Sequence, residues 1–314
     1  MKQYVFGIDI GGTSIKCGLF TAEGELLDKW EIMTDRTNGG ENVPKDIAKA
    51  IAAKMKDKFI EKDSVLGVGV GIPGPVLEDG TVLQCPNLGW GRMNAAQVMS
   101  DLTGLKIKAG NDANVAALGE MWKGGGKGCK NMVMITLGTG VGGGVILDGN
   151  ILCGVNGAAA EIGHMIVNPE EEDICGCGGH GHLEQYASAT GIVRMAKKAL
   201  AKGDKKSSLA SFEKLSAKNI FDEAKKGDAL ALELVDTLGN YLAYALTHVS
   251  AVVDPEVYVV GGGVSRAGEI LINAIRKHYN NNIMKALQNK EFRLAELGND
   301  AGIYGAARML IGSK

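Results

Sequence analysis

The sequence has no excess of either charge. Its 34 Lys and Arg stand against 36 Asp and Glu, a formal net charge of −2, so nothing in it attracts nucleic acid or an anionic membrane as a partner. It has no uninterrupted apolar run long enough to cross a bilayer; the most apolar long stretch, 237–254, carries Asn240 and His248 and reads as a buried helix. A signal-peptide cleavage pattern is absent from the opening Met-Lys-Gln-Tyr-Val-Phe, which moves directly into a strand-like run, and the expected compartment is the cytoplasm. The six cysteines lack the spacing of a disulfide framework, which suits a reducing compartment. No G-x-x-x-x-G-K-[ST] string occurs, which removes the P-loop class. The two G-x-G-x-x-G strings, at 69–74 and 138–143, do not open helices: the first meets Pro75 and the second leads into a strand, so nicotinamide dinucleotides are excluded as well.

Glycine, by contrast, is abundant. The 46 glycines in 314 residues are about twice the usual share of roughly 7%, and the excess suits turns that bring a ligand close to backbone. Composition is otherwise that of a globular protein, with 45% hydrophobic and 22% charged residues, and the length suits two domains. Residues 4–10, an apolar run rich in β-formers, end at Gly11-Gly12-Thr13. Runs from Ile15 to Phe20 and then to about Ile32 complete a three-strand meander. The same order recurs at 132–153: a strand, the turn Gly138-Thr139-Gly140, a strand from Gly144 to Leu147, the turn Asp148-Gly149-Asn150, and Ile151-Leu152. This is an internal duplication. Two matching Gly-Thr turns suggest a nucleotide's phosphate chain held between two lobes, because glycine-turn N–H groups form anion-binding concavities and threonine adds a hydroxyl donor.

Between the repeats, helical spacing runs from Val43 to Phe59, and Val65–Ile72 reads as a buried strand broken by Gly71-Ile-Pro73-Gly74-Pro75. Cys85-Pro-Asn87-Leu-Gly-Trp90 is a loop. After a strand near Ile107, Asn111-Asp112 stands where a helix N-cap is expected. A carboxylate there is held ionised by the helix dipole, the state a general base needs. Further helices are expected at 187–202, 217–226 and 228–253. A strand at Val257–Val260 precedes Gly261-Gly262-Gly263-Val-Ser265, which is expected to open the next helix, and a last helix covers Ile303–Ile311. The glycine turn would admit a flat ring against backbone.

From Glu161 the chain reads Glu-Ile-Gly-His164, an acidic loop, then Cys175-Gly-Cys177-Gly-Gly-His180-Gly-His182-Leu-Glu184. Thiolates and imidazoles separated by glycines are what a tetrahedral zinc site requires. Cys175, Cys177 and one of His180 or His182 would be local ligands, with His164 as the fourth. Such an ion would pin two loops that each carry a carboxylate, Glu161 and Glu184.

This segment resembles the signature of the ROK family of sugar kinases and repressors, E-x-G-H followed by C-x-C-G-x-x-G-C-x-E, except that His182 replaces the third cysteine. The ligand set implied by the resemblance is His164, Cys175, Cys177 and His182. The first turn, with Asp9, Gly11, Gly12 and Thr13, is similar to the D-x-G-G-T loop of the actin, Hsp70 and hexokinase-like (ribonuclease-H-like) ATPase fold, an α/β architecture of two lobes with duplicated mixed sheets. The lobes are expected at 1–118, joined by 302–314, and at 119–301. The resemblance covers the chain in family order and implies an ATP-dependent kinase acting on the 6-hydroxyl of glucose. Other hexoses (fructose, mannose, allose, N-acetylmannosamine), polyphosphate as donor, or a sugar-sensing repressor are the alternatives. A repressor would need a DNA-binding module ahead of Asp9, where no room is expected. By the same resemblance Asp112 is the catalytic base, and Gly71, Asn87, Asn111, Glu161, His164 and Glu184 bind sugar. Asp9, Gly11, Gly12, Thr13, Lys16, Gly138, Thr139, Gly140, Gly261, Gly262 and Gly263 serve ATP and Mg²⁺, Zn²⁺ is structural, and a homodimer or larger homo-oligomer is expected.

Overall fold

A computed structural model describes residues 3–203 and 206–312. In chain order, β1 (Tyr4–Ile10), β2 (Ser14–Thr21) and β3 (Leu26–Met33) are followed by α1 (Val43–Asp57) and β4 (Val65–Ile72). The short β5 (Thr81–Val82) and β6 (Met93–Asn94) then lead to α2 (Ala95–Thr103), β7 (Ile107–Asn111) and α3 (Asp112–Lys123). Next come β8 (Met132–Leu137), β9 (Val141–Leu147), β10 (Asn150–Ile151), α4 (Glu184–Ala187), α5 (Ala189–Lys202), α6 (Ala217–Lys225) and α7 (Ala229–Val253). The chain closes with β11 (Val257–Gly261), α8 (Glu269–Asn282), β12 (Glu291–Leu294) and α9 (Ala301–Arg308).

Two five-stranded sheets repeat one topology, β3-β2-β1-β4-β7 and β10-β9-β8-β11-β12. In the first, β1–β2 and β2–β3 are antiparallel while β1–β4 and β4–β7 are parallel. In the second, β9–β10 is antiparallel and β8–β11 and β11–β12 are parallel. The duplication expected from the hairpins therefore extends to the parallel strands. The chain forms two compact units: Met1–Lys130 with Gly144–Ala160 and Glu296–Lys314, and Asn131–Gly143 with Glu161–Ala295. The expected division at 118 falls inside α3, which runs unbroken to Lys123, and the last segment joins the first unit from Glu296 instead of 302. Residues 1–2 and 313–314, within those expected bounds, lie outside the described residues.

In the first unit the pleat sorts the strands by face. Phe6, Ile8 and Ile10 of β1 and Val68, Val70 and Ile72 of β4 join the core that includes Ile47 and Ile51 of α1 and Met99 of α2. Residues of opposite parity point the other way, and there β4 offers glycine at 67, 69 and 71. Helix α9 occupies that face at very short range. A Cβ at Gly7 would collide with the Ile303 carbonyl, one at Gly69 with Ala306, and one at Gly305 with Val115 of α3. Val5, Phe20, Ile303 and Ala307 fill the remaining apolar contacts.

Several boundaries differ from expectation for local reasons. The expected helix start at 187 is split because Ser188 is extended and caps Gly191 N–H, so α4 ends at Ala187 and α5 begins at Ala189. The glycine turn after β11 opens a short 3₁₀ segment, Gly263–Ala267, and α8 waits until Glu269. Strand β9 starts at Val141 instead of Gly144, and β10 is Asn150–Ile151 instead of 151–152. Helix α9 starts two residues early, at Ala301, and ends at Arg308.

Candidate functional site

Within the first unit, register assembles one row at the carboxyl ends of the parallel strands. Asp9 of β1 pairs with Gly71 of β4, Gly71 pairs with Gly110 of β7, and Ile72 pairs with Asn111. In an open parallel sheet that edge is where ligands gather. Gly71 leaves the space open: a Cβ there would lie 3.6 Å from both the Asp112 Cα and Asp9 Oδ1. Asp9 is mostly buried, and burial pushes its carboxyl above the ordinary range, against the opposing pull of Lys16. The Lys16 ammonium lies 4.0 Å from Asp9 Oδ2 and donates to the Asn299 carbonyl at 3.1 Å. The turn Gly11-Gly12-Thr13 is closed by Gly11 N–H on the Ser14 carbonyl at 3.0 Å and tied down by Thr34, whose hydroxyl donates to the Gly11 carbonyl at 2.7 Å.

At the start of α3 the capping falls to Asn111, whose side-chain oxygen accepts from Asn114 N–H at 3.1 Å. Its amide donates to the Gly74 carbonyl and to Asp112 Oδ1, each at 3.0 Å. Asp112 is the first helical residue, and Oδ1 also accepts from Ala113 N–H at 2.9 Å. With Asn111 as the cap, the Asp112 carboxylate sits at the positive end of the helix, its Oδ1 held by the Asn111 amide and Ala113 N–H. Asn87 is exposed at a turn closed by reciprocal backbone bonds between Cys85 and Trp90, and the Trp90 indole donates to the Gly40 carbonyl at 3.0 Å. An open depression of about 610 Å³ lies between this turn and Thr34–Thr37.

The second unit carries the other motifs. Gly138 N–H closes on the Gly140 carbonyl at 2.9 Å, and Ala189 N–H and the Thr190 hydroxyl at the start of α5 donate to the carbonyls of Gly138 and Thr139. Glu184, the first residue of α4, lies directly against this turn. Its Oε2 accepts from Val141 N–H at 3.2 Å, its Oε1 accepts from the Cys175 thiol at 3.3 Å, and a Cβ on Gly140 would collide with it. Glu161 is exposed and its carbonyl accepts from His164 N–H at 3.0 Å.

His164, Cys175, Cys177 and His182 offer ligand atoms that all lie within 4.8 Å of one another. Cys177 Sγ and His182 Nδ1 are 3.2 Å apart, and the two imidazoles meet edge to face at 5.3 Å. His164 Nδ1 is buried with no hydrogen-bond partner, a state that a polar atom tolerates poorly unless an ion takes it. Burial pushes the Cys175 thiol up to about 11; the Cys177 backbone N–H opposes this, while the Cys177 thiol and Glu184 add to it. Burial and the neighbouring His164 lower His182, which favours the neutral imidazole that ligates metal. His180 is exposed and bridges Ile174 by backbone, outside this cluster. The donor set fits a tetrahedral dication such as zinc.

Gly261, Gly262 and Gly263 follow β11. Gly262 has φ 83°, a conformation that glycine adopts freely, and a Cβ there would lie 2.5–2.7 Å from Leu137 backbone. Beside this turn is a cavity of about 400 Å³, also lined by Ser216 and by Ala217 and Phe221 of α6. Sequence reading missed that lining, because the apolar period of α6 marks Phe221 as core without showing which turn it faces.

The comparisons with known proteins agree in direction. The ROK family model matches residues 5–312. A glucokinase of Halalkalibacterium halodurans is 42% identical over 308 residues, covering 96% of this chain and 93% of its own. A glucokinase of Thermotoga maritima is 39% identical over 319 residues, covering 98% of each. Among solved structures, a ROK family glucokinase from Streptomyces griseus in complex with glucose and AMPPNP is 33% identical with TM-score 0.74, covering 98% of each chain.

Proposed function

The chain belongs to the ROK family, and from that membership we propose the chemistry of its site. It is a hexose kinase that transfers the γ-phosphoryl group of ATP to the 6-hydroxyl of glucose, giving glucose 6-phosphate. The observation that carries the residue assignment is the position of Asp112: first in α3, its Oδ1 held by the Asn111 amide and Ala113 N–H, and one residue beyond a strand edge that also carries Asp9.

Phosphoryl transfer needs little covalent chemistry from the protein, so positioning and charge stabilisation set the rate. The Asp112 carboxylate accepts the proton of the 6-hydroxyl as that oxygen attacks in line. Asn87, Asn111, Glu161, His164 and Glu184 take the other hydroxyls, acceptors suiting a ligand rich in O–H donors, and Gly71 keeps its strand edge clear. Toward phosphate the first unit offers the Gly12 N–H, the Thr13 hydroxyl and the charge of Lys16, and the second offers the Gly140 N–H and the Thr139 hydroxyl, while the Gly11 and Gly138 N–H groups close their turns. The adenosine end lies against Gly261–Gly263, with Phe221 as an apolar wall. Mg²⁺ neutralises charge on the phosphates when bound, and Asp9 is the side chain that would meet it. Zn²⁺ would be held by His164, Cys175, Cys177 and His182 and would serve structure alone. Free cysteines throughout the described residues and the absence there of a helix long and apolar enough to cross a membrane support a cytoplasmic placement. A homodimer or larger homo-oligomer accompanies this reading, and analytical ultracentrifugation measures it directly.

A coupled assay across glucose, fructose, mannose, allose and N-acetylmannosamine, with ATP and polyphosphate as donors, tests the function. The expected result is the highest kcat/KM for glucose with ATP. Greater turnover of another sugar, or of polyphosphate, would replace that assignment.

A further inference from the structure

We propose that Arg194 is a positioning residue for the metal loop, acting from α5 to hold both ends of the segment that carries Cys175, Cys177, His182 and Glu184. The inference rests on the metal and sugar roles proposed above for those side chains, none of which Arg194 touches through its donors.

One guanidinium reaches both sides of the loop. Its Nη1 pairs with Asp173, and its Nη2 lies 2.6 Å from Glu171 Oε2 and 3.1 Å from the Gln185 carbonyl. Glu171 and Asp173 precede Cys175, and Gln185 follows Glu184, so the arginine clamps the loop before its first thiol and after its carboxylate. Further bonds brace the clamp. The Tyr186 hydroxyl donates to Glu171 Oε2 at 2.6 Å, Gln185 Nε2 donates to the Asp173 carbonyl at 2.8 Å, and His182 N–H donates to Gln185 Oε1 at 3.0 Å. Lys198 adds a second cation 2.6 Å from Asp173. The Tyr186 ring, under the guanidinium at 5.3 Å, stacks on Tyr241 of α7 at 4.1 Å. No bond in this frame uses a metal-ligating atom.

The loop needs such a frame. Glycines at 176, 178, 179 and 181 make it costly to order, since glycine loses the most backbone freedom on folding. An isolated exposed ion pair could not supply that ordering. Here, however, the Glu171 side chain is only 8% exposed and one planar fork serves three acceptors, a geometry that lysine's single ammonium cannot copy. Burial alone would raise the Glu171 carboxyl, but hydrogen bonds from Arg194 and Tyr186 outweigh it and hold it at about 2.

The test uses the full chain with its metal replaced by Co²⁺, whose absorption bands report ligand geometry. Arg194→Ala should weaken Co²⁺ binding about 10- to 100-fold, the usual effect of removing an outer-shell support. It should also raise the glucose KM about tenfold while leaving kcat within about threefold. Arg194→Lys should fall between Ala and wild type, and Lys197→Ala, an exposed charge loss on the same helix, should match wild type. If Arg194→Ala lowers Tm but keeps wild-type Co²⁺ affinity, absorption bands and glucose KM, the positioning role is overturned. Should Arg194→Ala fail to fold, Arg194→Lys and Glu171→Gln decide by the same readouts: partial losses support the role, wild-type values overturn it. A wild-type protein that binds no Co²⁺ would remove the metal reading itself, and the glucose KM of the variants would then decide the role of Arg194 alone.

Discussion

Replacing Gly302 with alanine sets two effects of one methyl group against each other. Gly302 lies in the first turn of α9, where alanine should help the helix by at most about 1 kcal/mol. The new Cβ would lie 2.6 Å from Asp9 Oδ2 and 2.9 Å from Asp9 Cβ, where non-bonded carbons prefer about 3.5–4.0 Å. The carboxylate oxygen can swing aside by side-chain rotation. The Asp9 Cβ cannot, because it is fixed to the backbone of β1, so α9 and β1 must separate by more than about half an ångström. Overpacking of this kind usually costs about 1–3 kcal/mol, leaving a net loss of stability from near zero to about 3 kcal/mol. The larger effect should be on rate, since misplacing a reacting or charge-stabilising group by about 1 Å costs on the order of 100-fold. Thermal melts and a coupled glucose-phosphorylation assay over a Mg²⁺ titration measure both. The expected outcome is a kcat lowered about 100-fold and a greater Mg²⁺ requirement, with glucose affinity by calorimetry retained. A Gly302→Ala enzyme with wild-type kcat and an equal or higher Tm would refute the reasoning, showing either slack between α9 and β1 or no part for Asp9 in the reaction.

Asp112→Asn should keep glucose binding and lower kcat by about 100-fold or more, because the amide keeps the shape but cannot take the proton; turnover within a fewfold of wild type would reduce Asp112 to a structural role. Metal analysis of His182→Ala should show lost zinc and weakened glucose affinity, whereas His180→Ala should retain both; the reverse pattern would mean the wrong histidine has been assigned. For pH, Glu171 has its carboxyl depressed from 4.5 to about 2, so its contribution is fully present above the unfolded value and is lost as pH falls through the folded one. Acid melts should therefore show wild type ahead of Glu171→Gln at pH 6, with the gap closing between about pH 4.5 and 2; a constant gap would remove the carboxylate's charge from the explanation.

What was legible in the sequence was whatever depends on neighbours along the chain. The turn Gly11–Thr13, the Asn111-Asp112 helix start and the cysteine pair each announce themselves within a few residues, and the repeated hairpin pointed to the duplicated sheets. Sequence spacing could not choose between His180 and His182 without the family resemblance; the backbone turns decide which ring faces Cys177. The Arg194–Glu171–Asp173 frame was invisible because partners more than twenty positions apart have no period to read. Gly302 and Gly69 were likewise unreadable as close-approach sites, since what crowds each lies far away in sequence: Asp9 of β1 for Gly302 and Ala306 of α9 for Gly69. The split at Ser188 was missed for a smaller reason: one serine in an otherwise helical pattern gives no sign that its side chain will cap instead of continue.

The seating of α9 in a groove of glycines also has a consequence for synthesis. The groove face of β1 and β4 is made well before the helix that fills it. After β1 has been translated about 300 residues must follow before α9 is complete, which at about 5–20 residues per second takes roughly 15–60 s. Throughout that interval Val5 and Phe20, buried in the finished protein, have no Ile303 or Ala307 to cover them. The first unit is thus begun before the second and finished after it, and a nascent chain stalled before residue 301 leaves an uncovered apolar strip that chaperones can bind.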